Sequence, residues 1–453
     1  MKGRVLARTD AEYEATRRAL VWNGLKPQRF PDFIVTPQDT DDVLAAVNFA
    51  RENGLKIAVR SGGHHFSGTV VRDGGTVLDM SAFDHCEIDV QGRTARVGPA
   101  LPKGDLVKQL NAVGLAFPAG HCASVTLGGY LLGGGIGWNT AQWGIACWSV
   151  LAVEAVTADG RLLTADANHH DELYWAARGA GGGFFGVVTG FTVALQTHPA
   201  VLRSSTLLVS AEHAAEVGAW MAQTVPTLRR STELLSMVAA APPPLAGVTR
   251  NVIVVAGCSF GDSDEDAGAG LSALDSFPLP VLHSELHKDE TWDSLYAIID
   301  RVLPAGAPIA AEALWLHGDP ADLFDRAAAG LAAAPSPRSS MLAVVLPPLP
   351  EGVPFPDTAF SMVGPVALLV YSVWDDPASE AENRGWLADV AERFAPNLLG
   401  YYINECNLAV GPDHSQRAFA PPVWARLAAL RAKHDPTGVF HSYLGSEAGR
   451  VAT

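Results

Sequence analysis

The run Arg60–Gly68, RSGGHHFSG, issues directly from Lys56–Arg60 (KIAVR), a short apolar stretch that reads as a buried strand. Two more glycine-rich runs follow, Leu127–Trp138 (LGGYLLGGGIGW) and Arg178–Gly186 (RGAGGGFFG). Consecutive glycines lack Cβ and accept φ > 0, so their backbone N–H groups can close around a pyrophosphate. Read singly, each run is a tight turn; three of them beside strands predict a dinucleotide laid across backbone amides. The third run matches G-x-G-x-x-G over Gly181–Gly186, but in the wrong setting. A helix-like stretch (Asp171–Gly179) precedes it and a strand-like one (Val187–Leu195) follows, the reverse of the dinucleotide fingerprint. No acidic residue stands about 20 positions on to take a ribose. A Rossmann fold is disfavoured.

Working outward, Thr36–Gly54 has an Asp-rich start, apolar Val43, Val47 and Ala50 at helical spacing, and a glycine stop. That predicts a capped amphipathic helix. Thr76–Met80 and Thr94–Gly98 read as strands, and Gly104–Gly114 as a helix. Ser149–Ala165 is two apolar runs joined at Asp159-Gly160, a hairpin signal. From about residue 200, apolar strand candidates (Asn251–Phe260, Met341–Leu349) alternate with Ala-rich helix candidates. Pro-rich joints fall at Pro242–Pro244, Pro278–Pro280 and Pro347–Pro356. The change predicts a second, mixed domain with an antiparallel sheet, and a C-terminus that returns to the first.

The 453 residues are 48% hydrophobic and 18% charged, a globular composition long enough to bury a core without staples. A net charge of −16, with no run of Lys or Arg, argues against nucleic acid and anionic membranes as partners. Five scattered cysteines, Cys86, Cys122, Cys147, Cys258 and Cys406, form neither a disulfide scaffold nor a C-x-x-C zinc site. No metal is expected. No stretch of 18 apolar residues exists and the first twenty residues hold no apolar signal core, so a cytoplasmic protein is expected.

Taken in order, these segments resemble the FAD-linked oxidases of the vanillyl-alcohol-oxidase fold, in particular the berberine-bridge-enzyme-like branch. The likeness covers roughly residues 30–198 and 398–445. RSGGHHFSG is similar to the loop whose His bonds the flavin 8α-methyl group, here His64. Gly120–Gly129 (GHCASVTLGG) is similar to the loop whose Cys bonds flavin C6, here Cys122. Leu173–Thr189 resembles the family's third loop, Asp435–Phe440 (DPTGVF) its C-terminal signature, and Tyr402-Ile403-Asn404 its Y-x-N motif.

The resemblance implies an α+β fold: a two-subdomain PCMH-type FAD-binding domain and a substrate domain whose antiparallel sheet is flanked by helices. The implied spans are 1–198, 199–397 and 398–453, the last returning to the FAD-binding domain. It implies FAD contacts from Arg60, Ser61, Gly62, Gly63, Ser67 and Gly68 in the first loop, and from Gly120, Val125, Thr126, Leu127, Gly128 and Gly129 in the second. Gly134, Gly135, Gly137, Trp138, Gly186, Val187, Val188, Tyr402 and Asn404 complete the set. Two departures stand out. Tyr130 replaces a common His, and Phe419–Val423 lacks an Asn found in relatives.

In such enzymes a hydride passes from a C–H bond to flavin N5 while a side chain removes a neighbouring O–H or N–H proton. The resemblance points to Tyr402 as that base, with Tyr401 and Glu405 beside it; a Tyr of ordinary pKa near 10 needs help at neutral pH. Val125, three residues after the Cys, matches the oxygen-permissive residue, which implies an oxidase making H2O2 rather than a dehydrogenase. The expected substrate is an alcohol, a hemiacetal or an amine. Trp292, Tyr296, Glu312, Trp315, His317, Tyr371 and Trp374 are candidate lining residues of the substrate domain. Two rivals remain. Gly257–Gly261 fits G-x-S-x-G with Ser259 as nucleophile, but an acidic stretch intervenes before any helix. A flavin-carrying protein that sequesters a drug would need the same loops. A calcium loop at Asp262, Asp264 and Asp266 fails, because Ala273 occupies the place of its last Glu.

Overall fold

The computed structural model describes residues 1–349 and 352–445. Its first sheet is built from β1 (Arg4–Ala7), β2 (Phe33–Thr36), β3 (Ile57–Arg60) and β4 (Thr76–Asp79), in the order β1-β2-β4-β3. β2 and β3 run parallel to β4, and the helix Thr40–Glu52 crosses between β2 and β3. That helix starts later than the sequence pattern implied, because the Asp39 side chain caps it by accepting from the Asp42 N–H at 3.0 Å. Next in the chain come β5 (Cys86–Asp89), β6 (Thr94–Val97), the two-residue β7 (Leu115–Ala116), β8 (Val150–Thr157), β9 (Leu162–Asp166) and β10 (Gly186–Ala194). β7 pairs with β11 (Gln196–Thr197); the others form an antiparallel sheet ordered β5-β6-β10-β8-β9. β8 and β9 are the expected hairpin around Asp159-Gly160, with Gly160 at φ +76°.

The third sheet has eight strands, all antiparallel. These are β12 (Val201–Ser210), β13 (Thr232–Ala240), β14 (Asn251–Gly261), β15 (His283–Asp289), β16 (Ile309–Leu316), β17 (Ser340–Val345), β18 (Val366–Val373) and β19 (Leu398–Tyr401). Their order is β15-β12-β14-β13-β17-β18-β16-β19. β17 stops at Val345, ahead of the prolines that cannot donate to a ladder. One face packs under the helices Ala214–Thr224, Asp264–Asp275, Pro320–Ala332 and Glu380–Phe394, burying Val209, Val255, Val238, Met341, Leu368 and Leu314 among them. The other face is left for a cavity.

Ser259 lies inside β14, paired with Arg203 on one side and Thr232 on the other. It is fully buried, with Gly270 of the neighbouring helix over its hydroxyl. A nucleophile elbow needs a sharp turn and an exposed hydroxyl, so the hydrolase reading fails. Asp264 and Asp266 are spent on Arg203 and Arg229, and no cluster of metal-ligating side chains occurs among the described residues. No helix there is long and apolar enough to cross a membrane.

The DPTGVF segment closes on β3. Asp435 accepts from the N–H groups of Val439 and Phe440 at 2.7 and 2.9 Å, and Ile57 exchanges backbone bonds with Val439 and His441. At the far end of β3, Gly63 takes φ +68°, and a Cβ there would collide with the Leu20 carbonyl oxygen. Gly63→Ala is expected to lower stability by at least about 1 kcal/mol, read as a lower midpoint of thermal unfolding.

Candidate active site

The first two glycine loops fit into each other. A Cβ on Gly62 would stand 2.6 Å from Thr126 Oγ1, and one on Gly128 would stand 2.7 Å from Ser61 Oγ. This contact brings residues 58 positions apart to one wall: His64 and Cys122 both line a cavity of about 1480 Å³. Ligand pockets commonly measure roughly 300–1,000 Å³, so there is room for a dinucleotide and a substrate together. Gly129 and Gly182 face open space on the wall, as backbone amides meant for a ligand should. The residues fit FAD.

His64 lies against Trp22, ring centroids 5.0 Å apart and planes at 26°. Burial, reinforced by the charges of Lys103 and Arg60, holds its imidazole down at about 4. It is therefore neutral at pH 7 and has a free nitrogen lone pair. A backbone group of Ser124, two residues beyond Cys122, acts on the same ring. His65 is turned the other way: its Nδ1 accepts from the Ser67 N–H at 3.2 Å, which leaves Nε2–H to donate to the Ile403 carbonyl at 3.2 Å. Cys122 is pushed up to about 11, again by burial. At neutral pH it is a thiol.

Lys103 was not expected here. It opens the helix Lys103–Asn111, is 3% exposed, and holds its ammonium 4.1 Å above the Tyr130 ring. A cation in a first helical turn opposes the helix dipole, and that was the visible signal. Tyr130 donates to the Pro118 carbonyl at 2.6 Å, so the departure from His is absorbed into a packed aromatic floor under Lys103. A Cβ on Gly120 would crowd the Lys103 ammonium and the Tyr130 ring.

Tyr402 follows β19 directly, and its N–H donates to the Ala313 carbonyl of β16 at 3.0 Å. Its hydroxyl accepts from Ile136 N–H at 3.3 Å and from Asn404 Nδ2 at 3.2 Å, and donates to no described residue. Trp315 and Phe360 stand edge-on to the ring. Burial raises the phenol well above its ordinary value, and the Glu405 charge adds to this. Glu405 is itself raised by burial; opposing this, Tyr371 Oη donates to its Oε2 at 2.8 Å. A second acid, Glu233, pairs with His121 at 2.7 Å further along the wall. Nothing in the sequence pattern signals that pair.

The sheet supplies the opposite wall. Register aligns Leu208, Val254, Met237, Leu342, Leu369 and Ala313 in one row across six strands, and all six line the cavity. Of the expected lining residues, Trp315 and Tyr371 are on the wall. Glu312 points the other way, bonded to His414 at 3.1 Å and to the Asn407 N–H at 3.1 Å. Trp292, Tyr296 and Trp374 are packed inside, and His317 is exposed.

Among the implied FAD contacts, seven stand off the wall of this cavity. Arg60 is engaged by Asp79 at 2.8 Å and by the Gly62 carbonyl. Ser67 bonds Asn407, Gly68 abuts Pro27, and Leu127 and Val187 are wholly buried in core clusters. Gly134 and Gly135 make room for Phe360 and Tyr130. These residues shape the loops. The other implied contacts, with Tyr402 and Glu405, line the cavity together.

A family model described as an FAD binding domain matches residues 31–166. An FAD-linked oxidoreductase of Hypoxylon pulicicidum is 27% identical over 96% of each chain. The (R)-6-hydroxynicotine oxidase of Paenarthrobacter nicotinovorans is 28% identical over 98% of this chain and 96% of its own. The chain is an FAD-linked oxidoreductase. Its fold is that of a berberine-bridge-enzyme-like protein of Physcomitrella patens, at TM-score 0.83 and 20% identity over 98% and 97% of the two chains. In this oxidoreductase, Tyr371→Phe removes the bond that opposes burial at Glu405. The infrared band of its protonated carboxyl is then expected to persist to higher pH than in the wild type.

Proposed function

We propose that this oxidoreductase is an oxidase with FAD bonded to His64 and Cys122. It would take a hydride from an alcohol, hemiacetal or amine and use dioxygen as the final acceptor. FAD, when bound, supplies the hydride acceptor; the chain supplies the proton chemistry and the enclosure. The observation that carries this reading is the Tyr402 hydroxyl, which accepts two N–H bonds and donates to no described residue. Loss of its proton breaks no contact, and both donors strengthen toward a phenolate. Burial opposes that loss, and so does charge on Glu405, a charge that the burial of Glu405 itself disfavours. As the phenolate, Tyr402 would take the O–H or N–H proton of a substrate held in the cavity. Glu405, bonded to Tyr371, positions rather than reacts.

The apolar row on that wall favours a substrate with a broad hydrophobic face over a polyhydroxylated sugar. Val125 on the wall, matching the oxygen-permissive type, supports dioxygen over another acceptor.

Tyr402→Phe is expected to lower turnover by roughly 10²–10⁴-fold, the usual worth of a general base, while substrate still perturbs the flavin spectrum. Unchanged turnover would remove Tyr402 from the mechanism; substrate binding without turnover in the wild type would point to a sequestering protein. Val125→Ile should slow peroxide formation yet spare reduction of an artificial dye, if the oxidase reading holds. Acid precipitation tests attachment: yellow colour should stay in the pellet and be lost only when His64 and Cys122 are both replaced.

A further inference from the structure

Lys103 is a buried cation whose ammonium donates to no described residue and lies against the Tyr130 ring. Such a charge is costly unless something on the wall or in the cavity answers it. Its backbone is stitched to the Cys122 loop: Lys103 N–H bonds the Val125 carbonyl at 3.0 Å, and Gly104 N–H bonds the Ala123 carbonyl at 2.9 Å. Its ammonium stands beside Gly120, two residues before Cys122. The groups that face it are Cys122, Glu405 and His64, and all four residues line the same cavity. Glu405 already has Tyr371 as a donor, and the His64 ring is neutral. No other described cation acts on Cys122, and Glu405 and Asp300 oppose its thiolate.

We propose that Lys103 is the proton acceptor and counter-ion of the Cys122 thiol, a positioning residue that arms Cys122 for its bond to the flavin. This rests on the covalent reading above. The first step starts from the neutral amine of Lys103, which coexists with its ammonium because burial holds the group down at about 8: one S–H bond breaks, one N–H bond forms on Lys103, and no electrons change hands. The sulfur then bonds the ring carbon as that carbon's hydrogen leaves as a proton. The two electrons stay on the ring until dioxygen, reduced to peroxide, removes them. Burial opposes both charges, holding Lys103 down at about 8 and Cys122 up at about 11, so the armed pair is a minor species. Attachment happens once in the life of each molecule, and a minor species is sufficient for that.

The test is peptide mass analysis of purified protein, scoring flavin on the Cys122 peptide and on the His64 peptide separately. In Lys103→Met the initial rate of flavin transfer to Cys122 on mixing flavin-depleted protein with FAD should fall at least about tenfold, one unit of thiol acidity. The His64 adduct should persist, and alkaline incubation should restore the Cys122 adduct. Adducts that fall in parallel would make Lys103 a packing residue, and adducts that both persist would make it irrelevant; either result overturns the proposal. A wild type with flavin on His64 alone would instead overturn the second attachment itself, and with it the use of a Cys122 thiolate.

Discussion

Ser61 and Thr126 occupy the space that side chains on Gly128 and Gly62 would need, and the rest of the active site depends on that mutual fit. Two loops from different sheets can approach so closely only because each presents a glycine where the other presents a hydroxyl. The approach sets His64 and Cys122 on one wall and leaves Gly129 open toward the cavity. A single methyl group on either glycine would part the loops.

A second constraint is dryness. His64, Cys122, Lys103, Tyr402 and Glu405 all lean toward their neutral forms, and burial is the leading cause in each. An apolar cavity makes any charge expensive, so a charge forms where a partner waits for it. Tyr402 has its two N–H donors, and Cys122 has Lys103. Charges that need no reactivity are tied off elsewhere, as in the Glu312–His414 pair behind the sheet.

The loops were legible in the sequence because their chemistry is local: runs of glycine announce close backbone approach. The decoy Gly181–Gly186 could be dismissed because the elements around it came in the wrong order, and it is indeed a turn between a helix and β10. The sheet wall was illegible for the opposite reason. Which side of a strand faces the cavity depends on register with strands up to a hundred residues away, and a shift of one residue reverses it. Hence Trp315 was found and Glu312, of the other parity, was misplaced. The seven residues that stand off the wall came in with their loops, since sequence spacing does not say which member of a run turns outward. Lys103 was overlooked because a lone lysine ordinarily lies on the surface.

Tyr402 begins one residue past β19 and hangs from β16 through the Ala313 carbonyl, so it belongs mechanically to the sheet that lines the substrate side. His64 follows β3 and Cys122 follows β7, in loops outside that sheet. Division of labour follows: alternate positions on six strands can be exchanged to suit a new molecule without disturbing the glycine loops or the helices beneath. Such a scaffold is open to diversification one wall at a time.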